Sequence, residues 1–243
     1  MKPESLSQHF VIPCYDTDVA FRLKPASFMD FAQEIAQGHA SLLGFGYDDL
    51  QRTRTAWVLS RLHIKFLRHP LWREEVDFKT WHKGTERLFF LRDFLMTGAD
   101  GKPAVLATSS WLVLNLDTRR LVRSVDIDGL DTKSCEHAIE TPCDKVQMPK
   151  DVASEIVAEH LVSYSDVDMN GHTNNARYVV WAMDAIGYDV ASSSPVREIK
   201  INFNHETRPG ETVVLHRAVV GDVYYVEGEV DGRSAFCVEI MFQ

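Results

Sequence analysis

The sequence predicts an α+β protein built from two copies of one unit. Each unit is a long helix followed by an antiparallel meander whose curved sheet wraps the helix, and the two sheets join into one. Three observations lead there. The first is a diverged internal repeat, in which Asp16 and Asp18 stand 150 positions before Asp166 and Asp168, and Phe28, Phe31 and Ala32 meet Tyr178, Trp181 and Ala182. Further along, at an offset of 136, Arg61, His69 and Glu75 meet Arg197, His205 and Glu211; at 131, Asp100–Val105 (DGKPAV) meets DGRSAF. The shrinking offset suggests longer loops in the first copy. The second is a helical apolar pattern early in each copy, and the third is strict two-residue alternation later in each copy.

Taken in order, each copy opens with a short extended segment, at residues 10–15 and 160–164. In copy one Phe28, Phe31, Ala32, Ile35, His39, Leu42 and Leu43 fall at helical spacing, and Pro25 suits the first turn. In copy two Ala176, Val179, Val180, Met183 and Ile186 do the same, and Thr173, Asn174 or Asn175 can supply the cap. Leu62, Ile64 and Phe66 then alternate with Arg61, His63 and Lys65, as Ile199, Ile201 and Phe203 do with Lys200, Asn202 and Asn204. Three further strands follow in each half, separated by turns. Residues 117–155 are polar, carry Pro142 and Pro149 and lack periodicity. The expected organisation is an N-terminal unit over 1–130, a linker over 131–155 and a C-terminal unit over 156–243.

Bulk properties narrow the function classes. The chain has 243 residues and a net charge of −9, which speaks against bulk binding to nucleic acid or to a membrane surface. No apolar run approaches the roughly 20 residues of a membrane span. The opening MKPESLSQHF has no apolar signal core, so a cytoplasmic protein is expected. Cys14, Cys135, Cys143 and Cys237 show no CxxC spacing, which fits free thiols rather than a zinc site or a disulfide framework.

The richest polar cluster is Asp166-Val-Asp168-Met-Asn170-Gly-His172-Thr-Asn174-Asn175, between a strand and the second helix. It opens like a calcium loop, but Arg177 stands where that loop needs a bidentate Glu. Some of it, notably Asp166, Asn174 and Asn175, suits turn and cap duty. Asn170 and His172 have no counterpart in copy one, which carries Ala20 and Arg22 there, and this one-sidedness points to an active site. A His before a helix can orient water or a carbonyl, with helix N–H groups available to an oxyanion. Glu206 is the matching base candidate, with Pro70 opposite it in the 136 register; an exposed carboxylate before the RPG turn is the plain alternative.

On these residues the sequence resembles the acyl-acyl carrier protein thioesterases, the plant and bacterial enzymes that end fatty acid synthesis. The resemblance runs through WVLSRLHIKF (57–66), SSWLVLNLDTRRL (109–121) and DVDMNGHTNNARYVVW (166–181). The last block carries the family's Asp-x-Asn-x-His, Asn-Asn pair and aromatic. The resemblance implies a double hotdog fold and a catalytic set of Asp168, Asn170, His172 and Glu206. It implies hydrolysis of a fatty acyl chain from acyl carrier protein; no cofactor or metal is expected, because a thioester needs only a base-activated water and an oxyanion site, and a monomer or homodimer is expected. Copy one, which has Ala20, Arg22 and Pro70 at the matching places but a strongly apolar helix, is expected to shape an acyl tunnel along residues 29–36. Thr207 stands where plant members often carry Cys, so a cysteine nucleophile is not expected, while Glu206 could serve as base or nucleophile. An acyl-coenzyme A thioesterase, a hotdog hydratase and a silent lipid-binding module remain as other classes.

Overall fold

The computed structural model describes residues 2–123, 134 and 136–243, so Cys135 and part of the expected linker lie outside the described residues. Copy one contributes β1 (Ser5–Val11), α1 (Pro25–Leu43), α2 (Tyr47–Thr53), β2 (Thr55–Phe66), β3 (Glu75–Glu86), β4 (Phe89–Gly98), β5 (Pro103–Asn115) and the short β6 (Leu121–Val122). Copy two contributes β7 (Glu155–Leu161), α3 (Asn175–Ile186), α4 (Tyr188–Ser193), β8 (Val196–Phe203), β9 (Thr212–Val220), β10 (Val223–Val230) and β11 (Arg233–Phe242). The strands form one sheet in the order β1-β3-β4-β5-β2-β8-β11-β10-β9-β7, with β6 beside β5. The second half repeats the first in reverse. The halves meet where β2 pairs antiparallel with β8, from Arg61 opposite Asn202 to Lys65 opposite Glu198, with His63 facing Lys200 at the centre.

The duplication is thus real, but its register in the strands is one residue off the sequence match. The N–H groups of Leu67 and Arg68 donate to Ala104 O, and those of Asn204 and His205 to Ala235 O. Ile12 N donates to Glu74 O as Val162 N does to Glu211 O, and Leu71 N meets the Glu74 carboxylate as Arg208 N meets that of Glu211. Between residues 67 and 74 the matched positions share an offset of 137 (204 less 67, 211 less 74, 208 less 71), while Ile12 and Val162 keep 150 and Ala104 and Ala235 keep 131. Glu74, not Glu75, therefore corresponds to Glu211, and His69, not Pro70, to Glu206. The matches at 136 were coincidences of residue type in two stretches rich in Arg, His and Glu. The extra length of copy one also lies elsewhere than expected: α1 has 19 residues against 12 in α3, and β2 has 12 against 8 in β8. The opening strands end earlier than predicted because residues 14–16 and 164–166 coil into 3-10 turns.

Both helices bury an apolar face against the concave side of the sheet. Pro25 starts α1, and Gly44, in the left-handed region at φ 85°, ends it. Phe28, Ala32, Ile35, His39 and Leu43 are buried, and Phe31 is partly buried against Phe10 at 5.0 Å between rings. Leu42 departs from the prediction at 53% exposed, because neighbours on a helix lie about 100° apart and Leu43 takes the inward direction. On α3, Ala176, Val179 and Ile186 are buried as predicted, joined by Tyr178 and Trp181, while Val180 and Met183 are only partly so. Asn174 caps this helix, its side-chain oxygen accepting from Ala176 N at 2.8 Å.

The alternating strands hold Leu62, Ile64, Phe66, Ile199 and Ile201 inward. Two polar residues read as outward-facing, His63 and Asn202, are nonetheless buried. Residues 136–146 cover much of that face. Trp81 Nε1 donates to Glu136 O at 2.8 Å, Arg61 donates to Cys143 O at 3.2 Å, and Val146 N donates to the Asn202 side chain at 3.2 Å. Lys83 lies under the same segment, 3.3 Å from Asp93 and donating to Ile139 O. Among the described residues no helix is long and apolar enough to cross a membrane.

The seam supplies a test. Ile64 and Ile199 face each other across it with no exposed surface. Ile64→Ala and Ile199→Ala should each cost about 2–5 kcal/mol of stability. The double variant should lose less than the sum, since the two cavities merge. Denaturant midpoints check this, and additive losses would argue against direct packing across the seam.

Candidate active site

The polar cluster forms a tight turn between the 3-10 segment and α3. Asp168 N donates to His172 O at 3.0 Å, and Gly171 N to Asp168 O at 3.0 Å. Gly171 has φ 81°, a conformation that suits a residue without Cβ. The Asp168 carboxylate accepts from Asn170 N at 2.8 Å and from Asn170 Nδ2 at 3.4 Å. The imidazole of His172 then stands between two carboxylates: Nδ1 is 4.0 Å from Asp168 Oδ1 and Nε2 is 3.9 Å from Glu206 Oε2. All four residues singled out in the sequence thus meet at one place.

Glu206 reaches this place on the loop after β8, and its neighbour Thr207 fixes the loop. Thr173 N donates to Thr207 O at 2.9 Å, and the two hydroxyls are 2.6 Å apart. Thr207 N donates to the Tyr178 hydroxyl at 3.0 Å, and that hydroxyl lies 3.1 Å from Thr207 Oγ1. Thr207 is thus a buried hydrogen-bond hub. Arg208, which the sequence reading passed over although it stands two residues from Glu206, donates to Glu206 Oε1 and leaves Oε2 on the His172 side.

The rest of the cluster is structural. Asp166 is buried and accepts from Ser163 N at 2.9 Å, His160 Nε2 at 2.9 Å and Arg177 Nε at 3.2 Å. Burial would raise its pKa, but the donors, His160 first, outweigh that and hold it below the usual carboxylate range. An oxygen so occupied cannot open a calcium loop, and Arg177 in the loop's twelfth position is one of its partners. Two of the helix N–H groups are already engaged: Ala176 N bonds the Asn174 side chain and Arg177 N bonds Asn174 O at 3.0 Å, while Asn175, the first residue of α3, lines the cleft. Side-chain donors on the cleft side come from Asn170 and His172.

The four residues open onto a cleft of about 1000 Å³ whose other walls come from copy one. Ala36, Ala40 and Leu43 of α1 line it with Phe45, Trp57 and Phe90. Of the stretch 29–36 expected to shape it, Met29, Ala32 and Ile35 face the core instead, as the helical period requires. No described cysteine lines the cleft. Cys143 and Cys237 are buried, and burial pushes both thiols up to about 12.

The equivalent place in copy one is closed. Asp18 N donates to Arg22 O at 2.9 Å, the same turn as in copy two. Arg22 replaces His172, pairs with Asp18 at 2.8 Å and donates to Ser192 O at 3.0 Å. His69, in the place of Glu206, lies 3.1 Å from Leu23 O and 2.7 Å from Val196 O and stacks on Phe66.

Two family models cover most of the chain. Residues 3–127 match the acyl-ACP thioesterase N-terminal domain and residues 149–232 the C-terminal domain. The chain belongs to the acyl-ACP thioesterase family. Its relatives include an oleoyl-acyl carrier protein thioesterase of Coriandrum sativum, 27% identical over 86% of this chain and 61% of that protein. A palmitoyl-acyl carrier protein thioesterase of Gossypium hirsutum is 25% identical over 82% of this chain and 51% of its own length. The chain thus spans about half to three fifths of the curated relatives it matches. The crystal structure of an acyl-ACP thioesterase from Bacteroides thetaiotaomicron superposes with a TM-score of 0.90 and 26% identity, covering 99% of this chain and 98% of that one. The fold is the double hotdog that the sequence resemblance implied.

The Thr207 hub generates a prediction. Thr207→Val keeps the volume but strips the hydroxyl from two buried partners, at a cost of about 1–3 kcal/mol. Thermal or denaturant unfolding should register that loss, whereas Arg208→Ala, at an exposed position, should stay within about 0.5 kcal/mol of the parent. Equal stability of Thr207→Val and the parent would count against the hub.

Proposed function

We propose that the protein hydrolyses fatty acyl-acyl carrier protein to free fatty acid and the carrier thiol, the reaction for which its relatives are named. One observation carries the reading: His172 sits between Asp168 and Glu206 at the edge of a cleft that has Leu43, Phe45, Trp57 and Phe90 among its walls. In this scheme Glu206 Oε2 accepts a proton from water while the water oxygen adds to the thioester carbonyl carbon. His172 and the Asn170 amide face the oxygen that gains charge, and Asp168 holds both in place. When the C–S bond breaks, the proton passes to the sulfur. A thioester lacks the amide's strong resonance, so a base and an oxyanion site suffice without metal or organic cofactor. Copy two, from residue 156, then supplies the chemistry, and copy one, to residue 130, shapes the acyl site, with 131–155 joining them. The partner is the acyl carrier protein.

His172→Ala and Glu206→Ala should each lower turnover of acyl-acyl carrier protein about 10²–10⁴-fold with an unchanged circular dichroism spectrum. Near-parental turnover by either would remove it from the mechanism. Side-by-side assay with acyl-coenzyme A tests the carrier, and a clear preference for coenzyme A would replace the carrier protein in this reading.

Alkylation under native conditions offers a second check. The exposed Cys14 should react while turnover stays within about twofold, because Cys143 and Cys237 are held as buried thiols. Inactivation that tracks one cysteine and is blocked by substrate would restore a thiol mechanism.

A further inference from the structure

The cleft carries a cation that the hydrolytic scheme does not use. Arg92 on β4 lines it together with its cross-strand neighbour His82 on β3. Arg92 has no carboxylate partner among the described residues. Its Nη1 donates to His39 Nδ1 at 3.0 Å and to Thr80 Oγ1 at 3.2 Å. His39 accepts there while its Nε2 donates to Pro3 O at 3.1 Å, so this imidazole is neutral. Burial, then the Arg92 charge, lowers the pKa of both His39 and His82, the latter to about 4, so neither competes as a cation. Burial lowers Arg92 itself only to about 10, and it stays charged at neutral pH. The Nε and Nη2 N–H groups have no acceptor among the described residues. Arg92 is only partly buried and neither nitrogen is a buried atom without a partner, so both face the open cleft. A ligand that covers the guanidinium must replace the water there with hydrogen bonds of its own.

Position strengthens the point. Glu206 follows β8, and β4 lies three strands further along the sheet, beyond β2 and β5. At strand spacing that is about 14 Å across the sheet, and the register sets Arg92 level with Ile201, five residues before Glu206 in the chain. Between the two lie Trp57 on β2 and Trp111 on β5, both lining the cleft. Asp30, Glu34 and Asp48 also line the cleft, and none of them pairs with Arg92.

Resting on the thioesterase reading, we propose that Arg92 is a specificity-determining residue at the far end of the acyl site. It turns away the methyl end of a hydrocarbon chain and receives an oxygen acceptor (hydroxyl, keto or carboxylate) on a chain that reaches its depth. A hydrocarbon there would cover the guanidinium without replacing its hydrogen bonds. An oxygen function would gain a charge-assisted bond. Sites built to bond a polar group reject the analogue lacking it far more strongly than apolar pockets reject an extra methylene.

The test compares saturated acyl-acyl carrier proteins of increasing length with their ω-hydroxy counterparts on the full chain. At the first length where saturated substrate falls off, the ω-hydroxy chain should be favoured by about 10-fold or more in kcat/KM. Arg92→Met, which replaces a partly buried charge with apolar bulk, should erase that preference and extend the saturated range. Arg92→Lys should keep the cut-off. A parent enzyme that treats both chain types alike at every length overturns the proposal without any variant. So does an unchanged profile in folded Arg92→Met. Binding of free fatty acids and ω-hydroxy fatty acids, followed by Trp57 and Trp111 emission, separates the two readings. If no thioester is hydrolysed, the hydrolase reading fails, and the binding preference still decides for or against Arg92.

Discussion

The antiparallel pairing of β2 with β8 is the contact on which everything else in this molecule depends. Five residue pairs, from Arg61 with Asn202 to Lys65 with Glu198, turn two half-sheets into one continuous surface. Because the pairing is nearly symmetric about His63 and Lys200, both long helices land on the same concave face and pack on each other. That places α1 of copy one opposite the His172 turn of copy two. Neither half alone holds both the polar residues and the apolar walls of the cleft.

The two copies then show one backbone used in two ways. The turn at Asp18–Arg22 and the turn at Asp168–His172 share their hydrogen bonds, yet their side chains have opposite fates. In copy one Arg22 is paired with Asp18 and His69 is held between backbone carbonyls. In copy two His172 stays at about 4 Å from both carboxylates, without a hydrogen bond to either. Satisfied groups stabilise; groups left short of full bonding are where chemistry is usually found. Thr207 reconciles the two demands in copy two, because its hydrogen bonds fix the loop while the adjacent Glu206 remains half-exposed.

The outer face of the sheet follows a different logic. His63 meets Glu198 at 2.6 Å, and burial outweighs that partner in lowering the histidine's pKa. Lys83 and Asp93 lie together under residues 136–146. Burying such groups adds little net stability, but each bond requires one placement of the covering segment. The segment that joins the copies is in this way tied to the strands of both.

The sequence by itself determined the duplication, the α+β class, the helix faces and the four residues that meet at the cleft. These features rest on local patterns: the 3.6 and 2.0 periods, caps and the Asx-rich turn, whose hydrogen bonds close within a few residues. The strand register of the repeat, the burial of His63 and Asn202, the exposure of Leu42 and the depth of the cleft were decided only by tertiary structure. So was the environment of Arg92, although an Arg-Asp pair inside the apolar run FFLRDFLM is a visible anomaly. Each of these depends on groups far apart in the chain, such as Arg92 on β4 with His39 on α1. One chain position carries no record of which distant carbonyl or imidazole will meet it, because that meeting exists only once the sheet has closed around the helices.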